Sequence, residues 1–419
     1  MTRTLVVVGH GMVGHWLVER IRDRDRDGRW RIVVLAEEPR PAYDRISLSS
    51  HLEGGEDGDA GALDLTGPDL LDDPMADIRL STTAVAVDRG ARTVTSADGT
   101  VTGYDALVLA TGSRPFVPPI AGRDLPGCFR YRTVEDIEAI RAAAVPGRAG
   151  VVIGGGLLGL EAANALRLLG MRSHVVETAP HLLPLQIDAG AGQVLADLIG
   201  KLGVQPHCGT ITRSVDPGPD GRVRAVTLDD RTRLEAALVV FATGVRPRDD
   251  LAEPSGLTRG PRGGILVDDH CRTADPRIWA IGECAAVEGR CYGLVAPGYR
   301  MAECVAAQLL GLPARPFAGA DTSTRLKLLG VDVASFGDCH AETPGALEYI
   351  RHRHRAGSYA KLVLADDART LLGGVLAGDT SAYPLLHSLM GREMPAGPEQ
   401  LLLGTPHHEP HHEREPAWT

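Results

Sequence analysis

Short unbroken apolar runs alternate with glycine turns and charged segments along most of this chain. "LVVV" (5–8), "RIVVLAEE" (31–38), "ALVLATG" (106–112), "VVIGGG" (151–156), "RSHVVE" (172–177) and "ALVVFATG" (237–244) are runs of this kind. A brief apolar run bounded by turn residues is the pattern of a strand buried on both faces, as in a parallel sheet. The strand Leu5–Gly9 leads into a helix at about 12–23, and "VVIGGG" leads into the alanine-rich helix of "LLGLEAANAL". A third helix is expected from about 297 to 311, after "RIWAIGECA". "RDRDRDGRWR" (22–31) reads as a solvated connector and the acidic "HLEGGEDGDAGALDL" (51–65) as a loop. Hairpin strands are expected over 81–103, and again over about 208–235 around the turn "PGPDGR".

These pieces repeat. Strand, glycine loop, helix, strand and acid come first, then a hairpin, then a buried strand ending in "ATG"; the order occurs twice. The repeat implies an α/β chain with two Rossmann-like, doubly wound dinucleotide-binding domains. Residues 325–400 carry strand-like pieces ("KLLGVDVASFG", "YAKLVLAD", "TLLGGVLAG") and the helix "YPLLHSLMGREM", a small C-terminal α+β domain. The expected boundaries are 1–117 and 239–318 for a first dinucleotide domain, 118–238 for a second, 319–403 for the C-terminal domain and 404–419 for a disordered tail.

Composition narrows the partners. With 43% hydrophobic and 23% charged residues, 419 residues suffice for two or three packed domains. A net charge of −10 argues against nucleic acid or an anionic membrane as partner. No apolar run approaches the roughly 20 residues of a membrane span. "MTRTLVVVGHGMVG" reads as a first strand rather than a signal peptide, so a cytoplasmic location is expected. The seven cysteines are scattered with no C-x-x-C pair, which suggests small buried side chains in a reducing compartment. The tail histidines His407, His408, His411 and His412 read as a solvated end, with chance metal binding as the alternative.

The glycine loops carry the candidate chemistry. In G-x-G-x-x-G the first glycine makes a tight turn, the second admits a pyrophosphate to the backbone, and the third lets helix pack on strand. The helix N-terminus then faces the negative charge. Gly9, Gly11 and Gly14 follow "LVVV", with Glu37 at the end of the next strand; Gly154, Gly156 and Gly159 follow "VVI", with Glu177 at the end of "RSHVVE". A carboxylate there accepts hydrogen bonds from ribose hydroxyls and repels a 2′-phosphate. No arginine directly follows Glu177, so the second loop is expected to prefer NADH over NADPH. Two dinucleotides in one chain suggest a resident flavin and a visiting nicotinamide. "ATGSRP" (Ala110, Thr111, Gly112) and "ATGVRP" (Gly244) end the two buried strands.

Together with "TADPRIWAIGECA", these motifs resemble the FAD/NAD-dependent pyridine nucleotide–disulfide oxidoreductase superfamily over about residues 3–400. "EEPRPAYDRISLSS" and "IGECAAVEGRCYGLVAPGY" are similar to the N-terminal flavoprotein part of NADH-dependent nitrite reductase large subunits and to assimilatory nitrate reductase electron-transfer subunits. The resemblance implies FAD on Gly9, Gly11, Gly14 and Glu37, with Arg45 near the diphosphate or flavin. It also implies Ala110, Thr111, Gly112, Gly282, Glu283 and Pro297 in the FAD site, Glu283 on a ribityl hydroxyl and Pro297 starting, at N1, a helix aimed at the flavin. NADH is expected on Gly154, Gly156, Gly159, Glu177 and Gly244. Glu161 matches an acid near the nicotinamide, or is a solvated charge on a helix face. His10 and His51 read as satisfied polar residues rather than a proton relay.

Missing residues limit the reaction. Disulfide reductases of this superfamily need a cysteine pair beside the flavin, and its peroxidases need one redox cysteine where "ISLSSHL" has Ser49 and Ser50. Serine forms no sulfenic acid. "RISLSS" stands where oxygenase ferredoxin reductases show "RPPLSK". With no cysteine cluster, these residues are expected to hold neither an iron–sulfur centre nor sirohaem, and so not to reduce nitrite themselves. The expected activity is FAD-dependent NADH oxidation, with electrons passed to a nitrate or nitrite reductase or an iron–sulfur protein. The alternatives are a ferredoxin or rubredoxin reductase and a flavin-based redox-sensing regulator. A homodimer through the C-terminal domain is expected by analogy.

Overall fold

A computed structural model describes residues 2–49, 51, 63–321, 323–328 and 330–403. Ser50, most of the acidic loop and the histidine tail lie outside these residues. The chain divides into two compact units, Met1–Thr178 with Thr210–Asp321, and Ala179–Gly209 with Thr322–Thr419.

The first unit contains two parallel sheets. In the first, the strands run in the order Ile278–Ala280, Ala106–Leu109, Arg3–Val8, Trp30–Leu35, Ala76–Arg79. Leu5, Val6, Val7, Ile32, Val34, Leu107 and Val108 are all fully shielded or nearly so, which is why these runs need no polar alternation. Strand order reverses between Arg3–Val8 and Ala106–Leu109. The helix Met12–Arg24 leaves one side of that crevice. In the second sheet Arg172–Glu177, Ala149–Ile153, Leu238–Phe241 and Cys128–Arg130 run side by side in parallel. Its reversal lies between Ala149–Ile153 and Leu238–Phe241, where the helix Leu157–Leu168 departs. Open α/β sheets bind ligands at such reversals, beyond the carboxyl ends of the strands.

The two "ATG" segments continue into strands that pair with each other. Ser113–Pro115 lies antiparallel to Val245–Pro247, with Arg114 opposite Arg246. The expected hairpins are present as three-stranded antiparallel meanders, Ala84–Asp88 to Val101–Gly103 and Thr212–Pro217 to Arg233–Glu235. The third helix spans Val295–Leu310. It begins earlier than expected, so Pro297 is its third residue. A proline is tolerated there because the N–H groups of a first turn have no intrahelical partner.

The second unit holds an antiparallel sheet in the order Thr324–Leu328, Val331–Gly337, Leu371–Ala377, Ser358–Leu364, Leu347–Arg353. Asp188 caps the helix Ala189–Lys201 by accepting from the Ala191 N–H at 3.1 Å, and also accepts from Tyr359 Oη at 2.7 Å. Lys361, 3% exposed, pairs with Asp188 at 3.2 Å and Glu348 at 3.6 Å. The helix expected over "YPLLHSLMGREM" is confined to Tyr383–Ser388. The helix is capped at Leu389, and the chain then turns through Gly391 at φ +72°. Among the described residues, no helix is long and apolar enough to cross a membrane.

Candidate functional site

The first glycine loop is built by close backbone packing. Gly9 has φ +106°, and a Cβ there would sit 2.3 Å from the Ala110 carbonyl oxygen; one on Gly14 would sit 2.2 Å from the Gly9 carbonyl oxygen. Nothing lies within 4 Å of the position a Cβ would take on Gly11. Gly11 is also the N-cap of its helix, with no side chain capping it. The second loop repeats each feature. Gly154 has φ +113° and meets the Ala242 carbonyl oxygen at 2.3 Å, Gly159 meets the Gly154 carbonyl oxygen at 1.8 Å, and Gly156 is open and uncapped. Two other helices of the chain do carry side-chain caps. Thr133 and Asp136 form a reciprocal capping box on Val134–Ala143, and Asp188 caps Ala189–Lys201. Two bare helix N-termini at two sheet reversals, each with free space at the second glycine, fit pyrophosphate groups.

The alanines, threonines and glycines of "ATG" hold the loops and strands in place. Ala110 and Ala242 form the walls against which Gly9 and Gly154 pack. Thr111 Oγ1 donates to the Arg248 carbonyl at 2.5 Å, and the Gly112 carbonyl accepts from the Arg248 N–H at 2.9 Å. Correspondingly, Thr243 Oγ1 donates to the Phe116 carbonyl at 2.6 Å, and the Gly244 carbonyl accepts from the Phe116 N–H at 2.9 Å. Each tripeptide therefore grips the strand that follows the other.

The two acids differ. Glu177 ends its strand, is 9% exposed, and accepts from the Gly155 N–H at 2.6 Å and Thr178 Oγ1 at 3.1 Å. Glu37 lies two residues past its strand, half exposed, and pairs with Arg248. Arg248 was not legible as a site residue.

Residues distant in sequence meet beside the first loop. Val13 fills the space where Cβ atoms on Gly282 and Gly298 would sit, at 3.4 and 2.5 Å. It thereby joins the loop to "AIGE" and to the first turn of the helix Val295–Leu310, whose N-terminus no side chain caps. Trp16 stacks on Tyr299 at 4.6 Å. Glu283 Oε2 accepts from Ser113 Oγ at 2.7 Å and Arg132 Nη2 at 2.6 Å, leaving Oε1 without a partner among the described residues. Arg45 donates to the Arg132 carbonyl at 3.3 Å, pairs with Glu38 and lies over the Tyr43 ring. Thus Arg45, Glu283 and Gly282 come together, while Glu37 is engaged elsewhere by Arg248. Sequence reasoning missed Arg132 and Ser113; the capping signature Thr133-x-x-Asp136 next to Arg132 was the available signal.

Two expectations need correction. Glu161 is not a solvated helix charge: its Oε2 is shut off from solvent with no partner among the described residues. Burial first, then the Asp44 carboxylate, pushes its pKa up to about 7. His10 is not a satisfied polar residue, because both ring nitrogens lack partners among the described residues. Burial and the neighbouring His15 lower its pKa to about 4, so the imidazole stays neutral. His51 Nδ1 likewise has no partner among the described residues, and burial lowers the pKa of that ring. All seven cysteines are free thiols; Cys271, Cys284 and Cys304 are buried.

Paired dinucleotide loops, each with its own carboxylate, define a two-dinucleotide oxidoreductase. Residues 3–309 match the pyridine nucleotide-disulphide oxidoreductase family model, and 323–394 match the rubredoxin NAD+ reductase C-terminal domain. The chain is 48% identical over 401 residues to the nitrite reductase [NAD(P)H] large subunit of Klebsiella oxytoca, covering 95% of this chain and 41% of that protein. It is 34% identical to the assimilatory nitrate reductase electron transfer subunit of Bacillus subtilis (strain 168), covering 92% of this chain and 49% of that one. Among solved structures, the covalent putidaredoxin reductase–putidaredoxin complex matches with a TM-score of 0.82 and 26% identity over 95% of each chain. The chain belongs to the pyridine nucleotide-disulphide oxidoreductase family, NAD(P)H oxidoreductases with FAD and NADH as cofactors. It spans less than half the length of the nitrite reductases it matches.

Proposed function

We propose that this chain is the NADH-oxidising flavoprotein module of an assimilatory nitrate or nitrite reductase system, passing electrons to a redox centre outside these residues. The observation that carries the reading is the 48% identity to a nitrite reductase large subunit across 95% of the chain. In this reading the first loop holds FAD and the second receives NADH. When bound, FAD supplies the exchange between two-electron and one-electron chemistry. The chain contributes positioning and charge. The bare N-termini at Gly11 and Gly156 receive the pyrophosphates. Glu177 accepts from the NADH ribose, and Glu283 Oε1 takes a ribityl hydroxyl. Glu161, its pKa raised to about 7, donates toward the nicotinamide from its protonated form. The uncapped N-terminus of Val295–Leu310 favours negative charge on the reduced ring. NADH as the electron donor supports a cytoplasmic location. Leu347 and Ile350, exposed on the edge strand, support pairing of two copies through the second unit.

Anaerobic mixing of FAD-loaded protein with NADH tests the reading: rapid bleaching of the visible flavin band is expected, and a persistent oxidised spectrum overturns it. A second reading, a ferredoxin or rubredoxin reductase, draws on the match of residues 323–394 to a rubredoxin reductase domain. Acceptor assays separate the two. Faster turnover with a small iron–sulfur protein or rubredoxin than with a nitrate or nitrite reductase favours the second. Absence of turnover with every acceptor favours a sensing role.

A further inference from the structure

The strands Ala149–Ile153 and Arg172–Glu177 carry Gly154 and Glu177 at their carboxyl ends. At their amino ends a cavity of about 190 Å³ opens, lined by Arg148, Arg172, Arg224, Glu235 and the small side chains of Ala236 and Ala237. Backbone hydrogen bonds set these segments side by side. The Arg172 N–H donates to the Arg148 carbonyl at 2.9 Å, the Ala237 N–H to the Ala149 carbonyl at 2.7 Å, and the Ala236 N–H to the Arg224 carbonyl at 2.9 Å. In register, Ala149 faces Arg172 and Ala225 faces Glu235. Three arginines from separate segments therefore line one cavity with one carboxylate. Three positive charges and one negative leave +2 there, in a chain of net charge −10.

Elsewhere in this unit Arg22, Arg89 and Arg132 pair with carboxylates at 2.6, 2.9 and 2.6 Å. In the cavity, by contrast, none of the three guanidiniums has an ion-pair partner among the described residues, and neither has Glu235. Like charges around one cavity repel each other, and a bound anion turns that repulsion into attraction. We propose that Arg148, Arg172 and Arg224 form a binding site for a phosphoryl dianion, either inorganic phosphate or a small phosphate monoester.

The chemistry of the lining selects this ligand. Guanidinium forks match phosphate oxygens two at a time and keep their charge at any working pH. The cavity admits a tetrahedral oxyanion with bound water, since a water takes up about 30 Å³. An extended polyanion is disfavoured by the chain's net negative charge. Glu235 opposes the anion and limits its affinity. The site is not a glycine loop. The strand Ala149–Ile153 separates it from Gly154, a distance of about 16 Å at about 3.3 Å per residue, so its occupant does not compete with a pyrophosphate at Gly156.

The test titrates FAD-loaded protein, its second loop filled with saturating NAD+, by isothermal calorimetry. One arm uses inorganic phosphate and the other glycerol 3-phosphate, with chloride holding ionic strength constant. Saturable binding with a Kd of about 1 mM or tighter is expected in at least one arm, and the tighter arm identifies the source of the phosphoryl group. The double variant Arg148→Gln, Arg224→Gln should weaken binding by about tenfold or more, and Glu235→Gln should tighten it. KM for NADH should stay within about twofold in both. In wild-type protein the ligand should also shield Arg148, Arg172 and Arg224 from phenylglyoxal, read by mass spectrometry, while the exposed Arg231 labels as before. No saturable binding in either arm, unchanged affinity in the double variant, or equal labelling of the three arginines with and without ligand overturns the proposal. The labelling needs no variant, so it decides the matter even if a variant misfolds.

Discussion

The two glycine loops share a backbone and differ in their carboxylates. Gly9 and Gly154, Gly14 and Gly159, and Ala110 and Ala242 occupy equivalent positions with the same close approaches. Glu177, however, closes back on its own loop through the Gly155 N–H and is nearly buried, whereas Glu37 stands half exposed and is held by an arginine from another segment. A loop whose acid is already turned inward presents a preformed ribose acceptor to a ligand that comes and goes. The first loop draws its partners from across the unit: Val13 on Gly282 and Gly298, and Arg248 on Glu37. That broader set of contacts suits a ligand that stays.

The comparison can be broken at several points. The largest effect is expected from Gly9→Ala. A Cβ there overlaps the Ala110 carbonyl oxygen and demands a left-handed backbone, a strain of about 1–3 kcal/mol or more. The purified variant should carry little or no FAD; a full flavin complement by absorbance would contradict the packing account. Next comes Glu177→Ala, which removes charged hydrogen bonds worth about 1.5–3 kcal/mol, so KM for NADH should rise about 10- to 100-fold with FAD content unchanged. Steady-state kinetics at fixed acceptor reads this directly.

A pH effect should follow from Glu161. Its folded pKa of about 7 lies above its ordinary 4.5, so the folded protein holds a proton that the unfolded chain releases across that window. Stability at Glu161 is full below the lower value and is lost as pH rises through the upper one. Glu161→Gln should be more stable than wild type toward pH 7, with the difference in Tm shrinking toward pH 4.5; equal Tm differences at both ends would argue against a buried proton. The smallest effect is expected from Arg248→Ala. An ion pair this exposed contributes about 0–1 kcal/mol, so FAD affinity should change less than about fivefold in a fluorescence titration.

Local signals made the scaffold readable. Glycine spacing, apolar runs and the repeated "ATG" marked both sheet reversals, because those features depend on neighbours within a few residues. Partners across long sequence gaps were not readable. Ser113 and Arg132 reach Glu283 only after the strands assemble, and Arg248 meets Glu37 only because Ser113–Pro115 pairs with Val245–Pro247. Glu161 showed its type and its helix, but not its burial, which depends on what packs over it. The helix Val134–Ala143 was overlooked although its Thr133–Asp136 box is a local signature.

The central claim is that the two loops serve different cofactors. Anaerobic rapid mixing of Gly154→Ala with NADH tests it most directly, because the added Cβ strikes the Ala242 carbonyl oxygen and leaves the first loop untouched. The account predicts a protein that keeps its full FAD and whose flavin NADH no longer bleaches at a measurable rate, while dithionite still does. Loss of FAD from this variant, or bleaching by NADH at the wild-type rate, would contradict it.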